Sequence, residues 1–174
     1  TGAERIIEEQ NIPVLTHPEK VMRTRRDNLY ERFSDFNGVI VPKALRVTPR
    51  YRRDIQALIE KQQINLPCIF RPVGGHNSEG MFLIEREEDI NELERYAFDG
   101  REYYLIEYID YRDSDGKYRK CRAVYVDGEL YPRHLFVSDD WKVSMKTSLE
   151  GAEFMEQEKF FLENFKAQLG EQAV

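Results

Sequence analysis

Asp127-Gly128 separates two strand-like runs, Tyr118 to Val126 and Glu129 to Val137. An Asp-Gly pair suits the two positive-φ positions of a type I′ turn and is the strongest short-range hairpin signal in this chain. Strands joined by two residues must be antiparallel, so the class is α+β rather than α/β. The turn also fixes which residues meet. Val126 faces Glu129, Val124 faces Tyr131, and Arg122 faces Arg133, unless Pro132 forces a bulge and makes His134 the neighbour instead. Either register leaves a cationic pair, which an anion placed between the two would relieve. A solvated charged face is the competing account.

The remaining elements follow from period and punctuation. Thr16-His17-Pro18-Glu19 reads as a capping box, opening a helix to about Phe33 with Val21, Met22, Leu29, Tyr30 and Phe33 inward. Val39-Ile40-Val41 reads as a short strand stopped by Pro42. A helix after Thr48-Pro49 carries Ile55, Leu58 and Ile59 on one side. Leu66 to Pro72 and Met81 to Ile84 read as strands, Glu87 to Ala97 has helical spacing, and Tyr103 to Asp110 is a further strand. Trp141 to Met145 is expected to add another. A last helix covers about Glu150 to Leu169, with Phe154, Met155, Phe161, Leu162, Phe165 and Leu169 as its stripe.

Composition narrows the function classes. At 41 % hydrophobic and 33 % charged residues the chain can build a core, which excludes collagen-like and disordered classes. A net charge of −6 argues against a generic nucleic-acid binder. No apolar run is long enough to span a membrane. Cys68 and Cys121 sit in apolar runs and are expected to be quiet buried thiols, in keeping with a reducing, cytoplasmic setting. A first residue of Thr suggests a chain processed or cut from something longer.

Two features could carry chemistry. The turn Gly74-Gly75-His76-Asn77-Ser78-Glu79-Gly80 joins two strands, so it is neither a P-loop nor a Rossmann turn. A glycine-rich strand–loop–strand can close as a flap whose N–H groups cover phosphates; an ordinary hairpin tip is the plainer alternative. Just before it, alternation puts Arg71 and Ile69 on one face and Cys68 and Phe70 on the other. A guanidinium at that point suits a phosphate. Glu107-Tyr108-Ile109-Asp110 ends a strand and could clamp an adenine edge and a ribose.

The succession of Ile69-Phe70-Arg71-Pro72, the Gly74 to Gly80 loop, the Ile106 to Ile109 strand end and the Tyr118 to His134 hairpin resembles the ATP-grasp fold. Asn11 to Val14, Arg25-Arg26-Asp27 and Val41-Pro42 are similar to the opening of that domain, especially as found in uncharacterised bacterial proteins that often carry tetratricopeptide repeats. The likeness spans about residues 11 to 165. It implies two small α+β lobes, with antiparallel sheets and flanking helices, that grip ATP between them. Along the chain the expected parts are 1–62 (helices and a linking strand), 63–100 (small lobe with the flap) and 101–174 (the start of a large lobe).

The resemblance implies roles residue by residue. Arg71 takes the place of a lysine on the α- and β-phosphates, and Arg26 that of an earlier lysine. Gly74, Gly75, His76 and Gly80 form the flap. Glu107 and the backbone of Tyr108 and Ile109 hold adenine, with Asp110 or Asp115 for the ribose. Arg122 meets the γ-phosphate or acyl-phosphate, and His134 is counted with the nucleotide-binding residues. The family's magnesium ligands, an acidic residue and then a Glu-x-Asn pair, would follow the final helix and are expected outside this sequence, as in a truncated domain. The implied function is the ATP-binding part of a carboxylate–amine or carboxylate–thiol ligase, inactive as a fragment. Its partners would be a nucleotide, the carboxylate and nucleophile substrates, and the rest of the parent polypeptide. The alternative is a non-catalytic module binding an anion or a protein partner.

Overall fold

A computed structural model describes residues 2–14, 16–75 and 78–168. The chain divides into two compact units, one holding the chain up to Gly74 together with Gly80–Tyr108, the other holding Gly75–Glu79 and the chain from Ile109 onward. Among the described residues no helix is long and apolar enough to cross a membrane.

The first unit begins with three short helices, α1 (Gly2–Gln10), α2 (Pro18–Arg23) and α3 (Arg26–Phe33). The single helix expected from Thr16 to Phe33 is therefore two. Thr24 donates its hydroxyl to Val21 O at 2.9 Å and Arg25 is extended, which ends α2 and lets α3 start in a new direction. The cap is His17, whose Nδ1 accepts from the Glu19 N–H, rather than Thr16. None of the three helices buries a residue, so the inward stripe through Val21, Met22, Tyr30 and Phe33 is exposed.

The first sheet has the order β1-β4-β2-β3, from β1 (Ala44–Val47), β2 (Cys68–Pro72), β3 (Phe82–Ile84) and β4 (Tyr103–Glu107), all antiparallel. The strand expected at Val39 to Val41 lies instead after Pro42. Proline offers no N–H, and pairing starts where Lys43 O accepts from the Glu107 N–H at 2.9 Å. One sheet face carries the main core: Val47, Cys68, Phe70, Ile84, Tyr103 and Leu105, closed by Ile55 and Ile59 of α4 (Asp54–Gln62) and by Ile90 and Leu93. The last two lie on a 3-10 helix, Glu87–Arg95, whose three-residue turn suits their spacing. Phe70 stacks on Tyr103 at 4.6 Å and meets Tyr96 edge-on at 5.1 Å.

The second unit is a ribbon of β5 (Tyr118–Val126) and β6 (Glu129–Ser138), against which α5 (Ala152–Gln168) packs Phe161 and Phe165. Met155 and Leu162 of the expected stripe are exposed, and Leu169 lies outside the described residues. Trp141 to Met145 is not a strand. Side chains take its backbone groups: Ser138 Oγ accepts from Asp140 N–H, Asp140 Oδ1 from Lys142 N–H, and Thr147 Oγ1 from Ser144 N–H. Cys68 is buried but Cys121 is exposed, because a two-stranded ribbon has too few neighbours to cover it.

Candidate functional site

The opposite face of the first sheet carries a lateral row across three strands. Arg46 on β1 pairs in register with Tyr104 on β4, and Tyr104 with Arg71 on β2. Side chains directly opposite in an antiparallel sheet share a face, so the alternation that separates Arg71 and Ile69 from Cys68 and Phe70 holds. Arg71 is 7 % exposed, beside the small apolar cluster of Ala44, Tyr104 and Ile106.

Burial, and after it the charge of Arg26, hold the Arg71 guanidinium below the ordinary arginine range, with Tyr104 opposing. The charge of Arg26, distant in the sequence, is therefore felt at Arg71. Asp27, next to Arg26, gathers the rest of the cluster. Its Oδ2 takes Arg25 Nη2 at 3.2 Å and lies 3.6 Å from Arg46 Nε, while its Oδ1 accepts from the Tyr104 hydroxyl at 3.3 Å. Arg46 also donates to the Tyr104 hydroxyl at 3.1 Å and to both carboxylate oxygens of Glu102. Tyr104 is the main reason why the Arg46 pKa stands above its usual value; burial opposes this and Glu102 adds to it. A cleft of about 490 Å³ beside α4, lined by Gln56, Glu60, Glu87 and Ile64, offers carboxylates rather than cations.

The glycine loop follows β2 directly. Gly74 and Gly80 both have positive φ, +81° and +64°. At Gly80 a Cβ would stand 3.1 Å from Pro72 Cδ, so glycine is demanded there twice over. Tyr96 donates its hydroxyl to Gly80 O at 3.0 Å and so fastens the end of the loop. Gly75 falls with the second unit, and His76 lies outside the described residues. At the end of β4, Glu107 is half-buried and its Oε2 accepts from Lys43 N–H. The Tyr108 N–H donates to Pro67 O at 3.3 Å, so Tyr108 offers a base no N–H without giving up that bond.

No protein-family model and no curated protein matches this chain. Among solved structures it is similar to the carboxyaminoimidazole ribonucleotide synthase of Aspergillus clavatus complexed with ATP, at 17 % identity and a TM-score of 0.51, over 80 % of this chain and 35 % of that one. The fold is ATP-grasp-like. The D-alanine-D-alanine ligase of Helicobacter pylori also matches at 17 % identity, over 94 % of this chain and 51 % of that one, with a TM-score of 0.48 that is too low to bear on the fold. The chain thus spans about a third to a half of the structures it matches.

In the second unit of this ATP-grasp-like chain, Arg122 pairs with His134, and the register shifts between Arg122 and Ala123. Of the two registers open in the sequence, the bulged one is formed. Arg122 is exposed on the ribbon, and His134 stacks on Phe136 at 4.1 Å. The candidate ribose acids are both engaged. Arg112 chelates Asp110, and Arg119 pairs with Asp115 and Asp113.

Arg26 and Arg71 both belong to the first unit, Arg26 next to the Asp27 that bonds Tyr104, the in-register neighbour of Arg71, while Ile109, Arg122 and His134 belong to the second unit. Among the described residues no three His, Cys, Asp or Glu side chains converge as a metal ion requires, so no step is assigned to magnesium here. Asp27, Arg46 and Tyr104 belong to this bonded cluster and are not singled out by the sequence as candidate site residues. Alternation from Tyr103 could have put Tyr104 beside Arg71, but with β1 placed before Pro42 the face of Arg46 had no meaning.

Proposed function

We propose that the chain is the nucleotide-binding part of an ATP-dependent ligase, which phosphorylates a carboxylate to an acyl-phosphate that an amine or thiol then displaces. In this reading Arg71 and Arg26 take the nucleotide phosphates, and Gly74, Gly75, His76 and Gly80 cover them. Glu107, Tyr108 and Ile109 hold the base. Arg122, with His134 beside it, acts on the transferred phosphoryl group. The observation that carries the reading is Arg71, a guanidinium buried on a sheet face just before a glycine loop, in register with the Tyr104 whose hydroxyl bonds Asp27, the residue after Arg26; the Arg26 charge disfavours that of Arg71. An anion within reach of both relieves the repulsion and gains charge-assisted hydrogen bonds. Held in place before the ligand arrives, such cations stabilise charge on a phosphoryl group without reorganising.

Calorimetric titration of Mg-ATP tests this. Saturable binding is expected, weakened about tenfold or more by Arg71→Ala and by Arg26→Ala, the scale of a charge-assisted contact. Arg122→Ala is expected to weaken it less and to suppress phosphoryl transfer in a protein that turns over. Absence of binding, or binding indifferent to Arg71, overturns the reading. Binding by this chain without transfer to any carboxylate by the longer parent polypeptide favours the non-catalytic anion-binding alternative.

A further inference from the structure

We propose that Asp27 is a positioning residue, pinning the first turn of α3 to the sheet so that Arg26 and Arg71 engage one anion jointly. This inference rests on the nucleotide reading above. Arg26 is the first residue of α3, and α3 buries no side chain. An apolar core therefore does not set where Arg26 stands, although α3 lies against β1. The specific ties run through Asp27. It reaches the Tyr104 hydroxyl on β4 and the Arg46 guanidinium on β1, both members of the row that ends in Arg71.

Like charges brought together on a partly buried surface repel and move apart unless something opposes them. Asp27 opposes this in two ways. It anchors the helix turn, and its carboxylate balances part of the charge of Arg25 and Arg46. Asp27 is 21 % exposed in its side chain, so solvent screens these ties only in part. Tyr104 transmits the anchorage, since its hydroxyl bonds Asp27 and Arg46 while its backbone pairs with Arg71.

A double-mutant cycle, read as affinity for inorganic pyrophosphate by calorimetry on the whole 174-residue chain, tests the inference. Arg26→Ala is expected to weaken binding about tenfold in the parent chain and by less than about twofold in an Asp27→Asn background, a coupling within the range of contacting residues. Asp27→Glu should restore part of the Arg26 dependence. A generally loosened fold would weaken binding without erasing that dependence. An equal Arg26→Ala factor in both backgrounds overturns the inference and leaves the nucleotide reading standing. A parent chain that binds neither pyrophosphate nor Mg-ATP overturns both. Should Asp27→Asn fail to fold by circular dichroism, Tyr104→Phe takes its place. It removes only the hydroxyl, and an undiminished Arg26 dependence there overturns the inference as well.

Discussion

Arg122 lies directly opposite His134 across the β5–β6 ribbon, and the imidazole stacks on Phe136 at 4.1 Å. Burial first, then the Arg122 charge, holds the His134 pKa below its ordinary value; Arg133 and Lys120 act in the same direction and Glu158 against it. The folded state therefore disfavours the imidazolium. Its contribution to stability is complete above the unfolded value, about 6.5, and is lost as pH falls through the lower folded value. Arg122→Gln should raise the His134 pKa, part of the way only because burial is the larger cause. Imidazole proton shifts followed by NMR between pH 4 and about 8 measure it. An unchanged midpoint would mean that the pairing does not hold in solution.

Gly80 and Gly74 should respond differently to alanine. Gly74→Ala meets nothing within 4 Å and suffers only the positive φ, so a loss of about 1 kcal/mol is expected. Gly80→Ala adds a contact at 3.1 Å with the Pro72 ring, which cannot swing aside, and should cost about 2–3 kcal/mol. Urea unfolding of the two variants gives the order, and equal losses would contradict the close approach.

Arg71→Met should separate stability from binding. Burial disfavours the arginine charge, and an uncharged side chain of similar length avoids that desolvation cost. The variant is expected to unfold at the same or a higher temperature, by up to about 1 kcal/mol in stability, while losing most of its affinity for Mg-ATP. A loss of stability above about 1 kcal/mol would show that the guanidinium holds the fold together.

The two thiols should differ in reactivity. Burial pushes the Cys68 pKa up to about 12, so its thiolate is scarce and shielded. Cys121 is exposed, with partial burial and Asp113 raising its pKa. Iodoacetamide at about pH 8 should label Cys121 slowly in the native chain and reach Cys68 only after unfolding, as peptide mass spectrometry would show. Early labelling of Cys68 would mean that the first sheet opens.

How much of this was legible in the sequence depended on whether the signal was local. The Asp127-Gly128 hairpin, the Ile69/Arg71 face and the glycine loop were readable because turn chemistry and strand alternation act over a few residues. Pro132 even signalled the bulge that brings His134 to Arg122. The break at Thr24 was not readable, because the apolar spacing from Val21 to Phe33 continues through it while a hydroxyl and an extended Arg25 end the helix. Trp141 to Met145 misled in the same way, since Ser138, Asp140 and Thr147 take its backbone groups. Asp27 and Tyr104 lie 77 residues apart, a partnership that no local pattern announces.

The strand order β1-β4-β2-β3 sets a timetable for synthesis. β4 is central in that sheet but the last of its four strands to be made. β2 and β3 can zip together as soon as the loop between them exists. β1 has no hydrogen-bonded neighbour until residues 103–107 emerge, and the Lys43–Glu107 contact closes across 64 positions. On the ribosome the residues that carry Arg26 and Arg46 must wait, with their apolar neighbours exposed, for Tyr104 to arrive. Pausing or truncation before Tyr103 would therefore release a chain without its basic row, and the cationic face comes into being in one step, with the insertion of a single strand.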